Sequence, residues 1–166
     1  MTEGVTEEGW RTMEELRTLS TEYATAADER DGERFAGLFV EGGELVVPNL
    51  PDDPRPVLIR SGHQALRRVP EMLRRYDRTF HLVSNHRYHL EDETASGEVQ
   101  CVAHHVTAGD RPADGEGTDT VWFIRYRDDY RRTGSGWRFV RRELHLQWIE
   151  EHRITIFPVP ASGRPG

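Results

Sequence analysis

Residues 23–39 read YATAADERDGERFAGLF and join the end of one apolar helical pattern to the start of a second. Asp31 and Gly32 predict a break between two helices, because both residue types favour turns over a continuing helix. Asp28 precedes that break, near the end of the apolar face. A carboxylate buried there needs a hydrogen-bond partner, and perturbed acids of this kind concentrate at functional sites.

The helical pattern extends to both sides of this stretch. Upstream, apolar residues that share one helix face recur at helical spacing: Trp10, Met13, Leu16, Leu19, Tyr23 and Ala26 or Ala27. Downstream, residues 32–40 predict a second short helix that ends at Glu41-Gly42-Gly43. Ser61 suits the N-cap of a third helix over residues 62–76, which Pro70 should kink or divide.

The rest of the chain changes to strand character. Two short strands are predicted at residues 44–48 and 57–60, on either side of a proline-rich loop. Long alternating or apolar runs then predict four further strands: residues 79–90, 97–108, 120–132 and 137–149. Helices first and strands afterwards are typical of an α+β fold, with helices packed on one face of a curved antiparallel sheet.

A chain of 166 residues suits one domain with a sizeable core. We expect this domain to cover residues 1–160. An acidic tail is predicted over residues 1–8, a flexible polar loop over 109–119, and a flexible C-terminal tail over 159–166.

Composition removes several classes of function. The net charge of −7 argues against a nucleic-acid partner. No apolar run approaches the length of a membrane span, and the acidic N-terminus lacks a signal-peptide pattern, so a cytoplasmic location is expected. Cys101 is the only cysteine, which excludes an internal disulfide. The chain has no lysine, which excludes a lysine Schiff base.

The histidines are the residues most able to carry chemistry, because phosphate-loop, dinucleotide, zinc-protease and serine-hydrolase motifs are all missing from the sequence. Strand alternation predicts that His81 and His89 share one face while His86 points the other way. It also separates His104 from His105. Their spacing matches no set of metal ligands, so no metal is expected.

Asp28, His81 and one of the two adjacent histidines form the strongest candidate group. A neutral imidazole is a competent base near neutral pH when a buried carboxylate orients its other ring nitrogen. In the alternative interpretation, Asp28 caps the helix break and His81 is a hydrogen-bonded core residue. The residues alone leave both interpretations open.

Four stretches of the chain resemble the SnoaL-like branch of the nuclear transport factor 2-like superfamily, which includes scytalone dehydratase, lindane dehydrochlorinase and relatives of steroid isomerase. They are YATAADERDGERFAGLFVEGGEL (23–45), SGHQAL (61–66), RTFHLVSNHRYHLEDETASGEV (78–99) and YRDDYRRTGSGWRFVRREL (126–144). They span nearly the whole chain in the family's order. The resemblance implies a cone-shaped α+β barrel, a fold that hosts many unrelated activities.

The resemblance also implies roles for individual residues. Asp28 and His81 match the acid and the histidine of the family's catalytic dyad. A second histidine of scytalone dehydratase matches His105 rather than His104. The residues expected to contact a substrate are Tyr23, Trp122, Tyr126 and Arg142.

The chain departs from scytalone dehydratase at the substrate pocket. The tyrosine that precedes the acid in that enzyme is Ala27 here, and two polar residues of a later strand are Ile124 and Tyr126. The groups that polarise water in that enzyme are therefore missing, and its substrate is not expected here.

The function implied by the resemblance is a dehydratase or isomerase that needs no cofactor and acts on a small hydrophobic, oxygenated, polyketide-like metabolite. Asp28 would orient His81, which removes a proton from carbon. His105, Tyr23 or Tyr126 would polarise a carbonyl or protonate a departing hydroxyl. A homodimer or homotrimer is expected, joined through the exposed face of the sheet.

Two other functions stay open. The β-subunits of aromatic-ring dioxygenases share this fold and resemble HLVSN (81–85) and GWRFVRRELHL (136–146), so the chain could be a non-catalytic partner of an iron-bearing α-subunit. It could also bind a small ligand without converting it.

Overall fold

The computed structural model describes residues 6–109 and 115–158. Its helical segments are α1 (Glu7–Asp28), α2 (Gly32–Gly37), α3 (Gly62–Leu66), α4 (Val69–Met72) and a 3-10 turn (Leu73–Arg75). Its strands are β1 (Phe39–Asn49), β2 (Asp53–Ser61), β3 (Arg78–Leu90), β4 (Thr94–Ala108), β5 (Glu116–Thr133) and β6 (Gly136–Thr155).

One six-stranded sheet runs in the order β2-β1-β6-β5-β4-β3. The predicted α+β class, with helices packed on a sheet, is confirmed. The sheet is mixed rather than purely antiparallel, because β1 pairs parallel with β6, with Leu45 opposite Arg142. Within the described residues β2 and β3 are the two edges, so the cone is not a closed barrel.

An aromatic cluster joins the helices to the sheet. The ring of Tyr23 in α1 lies 4.7 Å from Phe35, 5.7 Å from Tyr126 and 5.9 Å from Phe139, measured between centroids. Such pairs combine large buried area with favourable tilted or edge-on geometry. The cluster therefore fixes α1 and α2 over β5 and β6.

Trp10 does not belong to the buried face of α1, contrary to expectation. It is 59% exposed, whereas Leu16 is fully buried. At 3.6 residues per turn, Trp10 is about 120° around the helix from Leu16. The buried face of α1 includes Thr12 and Ser20, two small polar residues that a search for apolar periodicity does not identify.

The predicted breaks are close to those observed. The helix expected over residues 62–76 is divided into α3, α4 and the 3-10 turn, with Pro70 in the first turn of α4. The second helix ends earlier than predicted, because Phe39 and Val40 already belong to β1. Residues 41–43 lie within that strand, where its register with β6 shifts.

The chain ends and the polar loop are only partly described. Residues 1–5, 110–114 and 159–166 lie outside the described residues, and with them the predicted C-terminal tail and much of the predicted loop. Glu7 and Glu8 are in the first turn of α1, capped by Thr6, rather than in a tail. Among the described residues, α1 is too polar to cross a membrane and every other helix is too short.

Substitution of Gly32 can test the close contact between α2 and the end of α3. A Cβ at this position would lie 2.3 Å from the backbone carbonyl oxygen of Arg67. Gly32→Ala is therefore expected to lower the free energy of unfolding by about 1–3 kcal/mol, the usual cost of overpacking. Urea-induced unfolding measures this change.

Gly37→Ala is the matched control in the same helix, since a Cβ there meets nothing within 4 Å. Its stability should stay the same or rise by up to about 1 kcal/mol, because alanine favours helix over glycine. Equal losses in the two variants would contradict the proposed close contact.

Candidate active site

A cavity of about 280 Å³ lies between the helices and the inner face of the sheet. Most of its wall is apolar, as is usual for small-molecule sites. The polar side chains that line it are Tyr23, Asn49, Arg60, Arg75, His81, His105, Trp122 and Tyr126.

The structure brings Asp28 and His81 into direct contact. Asp28 Oδ1 accepts a hydrogen bond from His81 Nδ1 at 2.7 Å, and Oδ2 accepts one from the backbone N–H of His81 at 2.9 Å. The hydroxyl of Thr79 donates a further bond to Oδ1 at 2.7 Å. One carboxylate therefore holds both the strand and the imidazole ring.

A Schellman motif ends α1 directly after Asp28. Arg30 has a φ of 62°, a left-handed conformation rare for a residue with a Cβ. The N–H of Arg30 bonds the carbonyl of Ala27, and the N–H of Asp31 bonds that of Ala26, which together form a Schellman motif. Sequence reasoning missed Arg30, because glycine is the residue normally found at this position.

The side chain of Arg30 completes a chain of hydrogen bonds to the dyad. Its Nη1 donates to Thr79 Oγ1 at 2.7 Å and to the backbone carbonyl of Asp28 at 2.9 Å. Since Thr79 accepts from Arg30, its own proton is directed to Asp28. Thr79 stands two residues before His81, a spacing that puts both side chains on one face of β3, but the sequence alone indicated no role for it.

The contact with Asp28 sets the tautomer of His81. A carboxylate that is ionised only accepts, so Nδ1 carries the proton and Nε2 holds a lone pair. Burial alone would raise the pKa of Asp28, but the hydrogen bonds from His81 and Thr79 outweigh burial and lower it. His81 lines the cavity and Asp28 does not, which leaves Nε2 as the ring nitrogen that can serve a ligand.

His105, rather than His104, lines the cavity beside His81, with the two ring centroids 5.8 Å apart. Its Nδ1 lies 3.1 Å from the carbonyl oxygen of Thr120 and must donate to it. Burial, and then the neighbouring His81, lower the pKa of His105 to about 4. With Nδ1 donating to Thr120, its Nε2 is an acceptor near neutral pH, which suits the orientation of a substrate hydroxyl better than the expected donation to a carbonyl or a leaving group.

His104 points to the opposite face of β4. Its Nδ1 lies 2.6 Å from Asp119 Oδ2, so the chain contains a second histidine–aspartate pair away from the cavity. The two pairs have similar contacts and different surroundings, which makes His104 a natural control for His81.

Tyr23, Trp122 and Tyr126, the other residues expected to contact a substrate, all line the cavity. Burial raises the pKa of Tyr23 to about 12, although the cation of Arg142 works against it. Burial likewise raises the pKa of Tyr126. Both tyrosines therefore keep their protons and can donate a hydrogen bond to an oxygen in the cavity.

Arg142 is not among the residues that line the cavity, although the resemblance implied that it contacts a substrate. It is fully buried and forms two 2.7 Å bonds to the carboxylate of Asp128. Its guanidinium also stacks on Tyr23 at 4.3 Å and on Tyr126 at 4.2 Å. Arg142 thus supports the two cavity tyrosines from behind the wall.

A β-bulge overturns the predicted faces of the β3 histidines. The register with β4 shifts between Ser84 and Arg87, and Asn85 has a φ of 49°. An extra residue of this kind reverses the alternation beyond it. His86 is consequently half-buried beside Tyr88, while His89 is exposed. In the described part of the chain, no three His, Cys, Asp or Glu residues form a group that could hold a metal ion.

Known proteins match the chain at two levels. A family model described as a SnoaL-like domain matches residues 9–143. A comparison with curated proteins gives no match. Similar solved structures include an NTF2-like protein with a cystatin-like fold from Novosphingobium aromaticivorans. It is 25% identical over 88% of this chain and 92% of that one, with a TM-score of 0.67.

Two further solved structures are of proteins with enzyme names. A scytalone dehydratase-like protein from Novosphingobium aromaticivorans is 21% identical over 91% of this chain and 95% of its own, with a TM-score of 0.69. A hexachlorocyclohexane dehydrochlorinase from Novosphingobium barchaimii is 13% identical over 91% of this chain and 97% of its own, with a TM-score of 0.71. At these identities, both likenesses show a shared fold.

Asp28→Asn is expected to make stability less dependent on pH. The lowered pKa of Asp28 adds stability that is present above its ordinary pKa of about 4 and is lost as the pH falls through the folded-state value. The difference in unfolding free energy between wild type and variant should therefore be constant above about pH 5 and shrink as the pH falls through about 4 and below. Urea unfolding at several pH values measures it.

Asp92→Asn, at an exposed position between β3 and β4, is the control for this experiment. It should leave the pH dependence as in wild type. A difference between wild type and Asp28→Asn that stays constant across the range would show that Asp28 has no lowered pKa.

Asp128→Asn is expected to lower the free energy of unfolding by about 3–5 kcal/mol, because it leaves the buried cation of Arg142 uncompensated. The double variant Arg142→Met/Asp128→Leu removes both charges and should recover much of this loss. Glu116→Gln breaks an exposed pair with Arg153 and should change little. Equal losses in the single and double buried variants would count against a structural ion pair.

Proposed function

The chain belongs to the SnoaL-like domain family, and we propose that it is an acid–base enzyme, a dehydratase or isomerase of a small, largely apolar, oxygenated molecule. The observation that supports this proposal is the 2.7 Å contact between Asp28 Oδ1 and His81 Nδ1 beside the cavity. The contact leaves one basic ring nitrogen on a wall that is otherwise mostly apolar.

In the first step, His81 Nε2 removes a proton from a carbon next to a carbonyl. The C–H electron pair moves into the new carbon–carbon double bond, and negative charge develops on the carbonyl oxygen. Asp28 stabilises the imidazolium that forms, because the charged pair replaces a neutral hydrogen bond. Tyr23 or Tyr126 donates a hydrogen bond to the oxygen that gains charge.

In the second step, the imidazolium of His81 returns the proton. If it protonates a hydroxyl on the neighbouring carbon, the C–O bond breaks and water leaves, which is dehydration. If the substrate carries a carbon–carbon double bond next to the carbon that lost its proton, the intermediate is a dienolate, and protonation of its far carbon moves the double bond, which is isomerisation. Both outcomes leave the protein unchanged and balance the proton within the site.

His105 has a different part in this mechanism from the one the sequence suggested. Its neutral Nε2 accepts a hydrogen bond, so it would orient a hydroxyl of the substrate and donate nothing to it. His81 is then the only one of the two histidines that carries a proton to and from the substrate.

The similar solved structures are consistent with this class of reaction. A dehydratase and a dehydrochlorinase, by their names, both eliminate a small molecule across adjacent carbons, and elimination can begin with loss of a proton from carbon. A protein that only binds a ligand would have the same cavity, so the deciding observation is proton exchange.

Exchange of carbon-bound protons tests the dyad without knowledge of the natural substrate. In D2O, ¹H NMR follows the loss of the acidic C–H signals of 2-tetralone, a bicyclic ketone. Wild-type protein should accelerate this loss over buffer. His81→Ala should reduce the acceleration by about 10²- to 10⁴-fold, the usual contribution of a positioned base. Asp28→Asn should also reduce it, because Asn cannot stabilise the imidazolium.

His104→Ala is the matched control, since it removes the histidine of the pair outside the cavity. Its exchange rate should equal that of wild type. No acceleration by the wild-type protein, or equal acceleration by folded His81→Ala, would contradict the proposed function. Ligand binding without exchange would favour the simple binding protein instead.

A further inference from the structure

Two arginines line the cavity, although most of its wall is apolar. Arg60 lies near the end of β2, opposite Leu45 of β1, and Arg75 ends the 3-10 turn that follows α4. They come from different segments of the chain. A lining of this type supplies a large apolar surface and a small number of charged groups for one bound molecule.

Neither arginine forms an ion pair within residues 6–109 and 115–158. Neighbouring arginines do so: Arg55 with Asp53, Arg67 with Glu33 and Arg74 with Glu71. Arg60 is half-buried, while the exposed Arg75 stacks on the ring of Tyr76 at 4.8 Å. Two arginines that line one cavity, neither paired with a carboxylate among the described residues, suit an anion brought in by a ligand.

The charge of Arg75 reaches His105. After burial and His81, it is a further cause of the low pKa of His105. Arg75, His81 and His105 all line the same cavity, so an anion bound to Arg75 would lie in the cavity that holds the candidate base.

We propose that the ligand of the cavity is a small aromatic or alicyclic carboxylate whose charged group is bound by Arg60 and Arg75. Its apolar body fills the rest of the cavity. A planar carboxylate matches the fork of donors that a guanidinium presents. That the reacting carbon of this ligand faces His81 rests on the proposed function, whereas the carboxylate contact itself does not.

Isothermal titration calorimetry with two matched probes tests this inference. 2-Naphthoate carries the carboxylate, and 2-naphthamide has nearly the same shape without the charge. Wild-type protein should bind 2-naphthoate about tenfold more tightly or better, because charge-assisted hydrogen bonds are about twice as strong as neutral ones. Arg60→Gln and Arg75→Gln should each reduce this preference and leave the affinity for 2-naphthamide unchanged.

Arg74→Gln is the matched control, since it removes the same charge from the neighbouring residue, which pairs with Glu71 and does not line the cavity. It should keep the wild-type preference. The inference is overturned if wild type binds the two probes equally or if both cavity variants keep the preference. It is also overturned if 2-naphthyl phosphate binds more tightly than 2-naphthoate, since the anion is then a phosphate.

His81→Ala separates this inference from the proposed function. The variant should keep the preference for 2-naphthoate while losing proton exchange, because the carboxylate contacts do not involve the dyad. A wild-type protein that prefers 2-naphthoate but exchanges no protons would contradict the proposed chemistry and leave the carboxylate site standing.

Discussion

The hydrogen bonds from β3 to the carboxylate of Asp28 are the interaction on which the rest of the site depends. They tie the last residue of α1 to an edge strand whose one neighbour in the sheet is β4. Because His81 gives both its backbone N–H and a ring N–H to one carboxylate, the imidazole has one orientation and one tautomer. The helix end, the wall of the cavity and the candidate base are thus fixed together.

The arginines that stabilise the fold are different from those that line the cavity. Arg142 and Asp128 are buried and satisfy each other, so they support Tyr23 and Tyr126 without entering the cavity. Arg60 and Arg75 form no ion pair in the described residues and line the cavity. Arginine therefore has two different roles in this protein. It is structural where a carboxylate of the chain lies within hydrogen-bond distance, and it is available to a ligand where none does.

The sequence predicted the α+β class, most strand positions and the division of the helix at Pro70, because these follow from local periodicity and backbone chemistry. The sequence-based predictions were wrong where residue spacing alone could not show to which face of a strand a side chain points. The bulge after Ser84 reversed the faces of His86 and His89. Alternation puts Arg60 on the same face of β2 as Leu58, but only the packing of the fold shows that this face lines the cavity.

The sequence by itself determined the order of the elements, a helix break next to Asp31 and the residues able to do chemistry. The tertiary structure alone decided their partners. Asp28 lies about 120° around α1 from Leu16, outside the buried face. Its carboxylate accepts hydrogen bonds from Thr79 and His81 because β3 packs on that side of the helix. The tertiary structure also decided that Arg142 bonds Asp128 and that Nε2 of His105 is a hydrogen-bond acceptor rather than a donor. Each of these depends on residues distant in the chain, whose contacts only the packing of the fold defines.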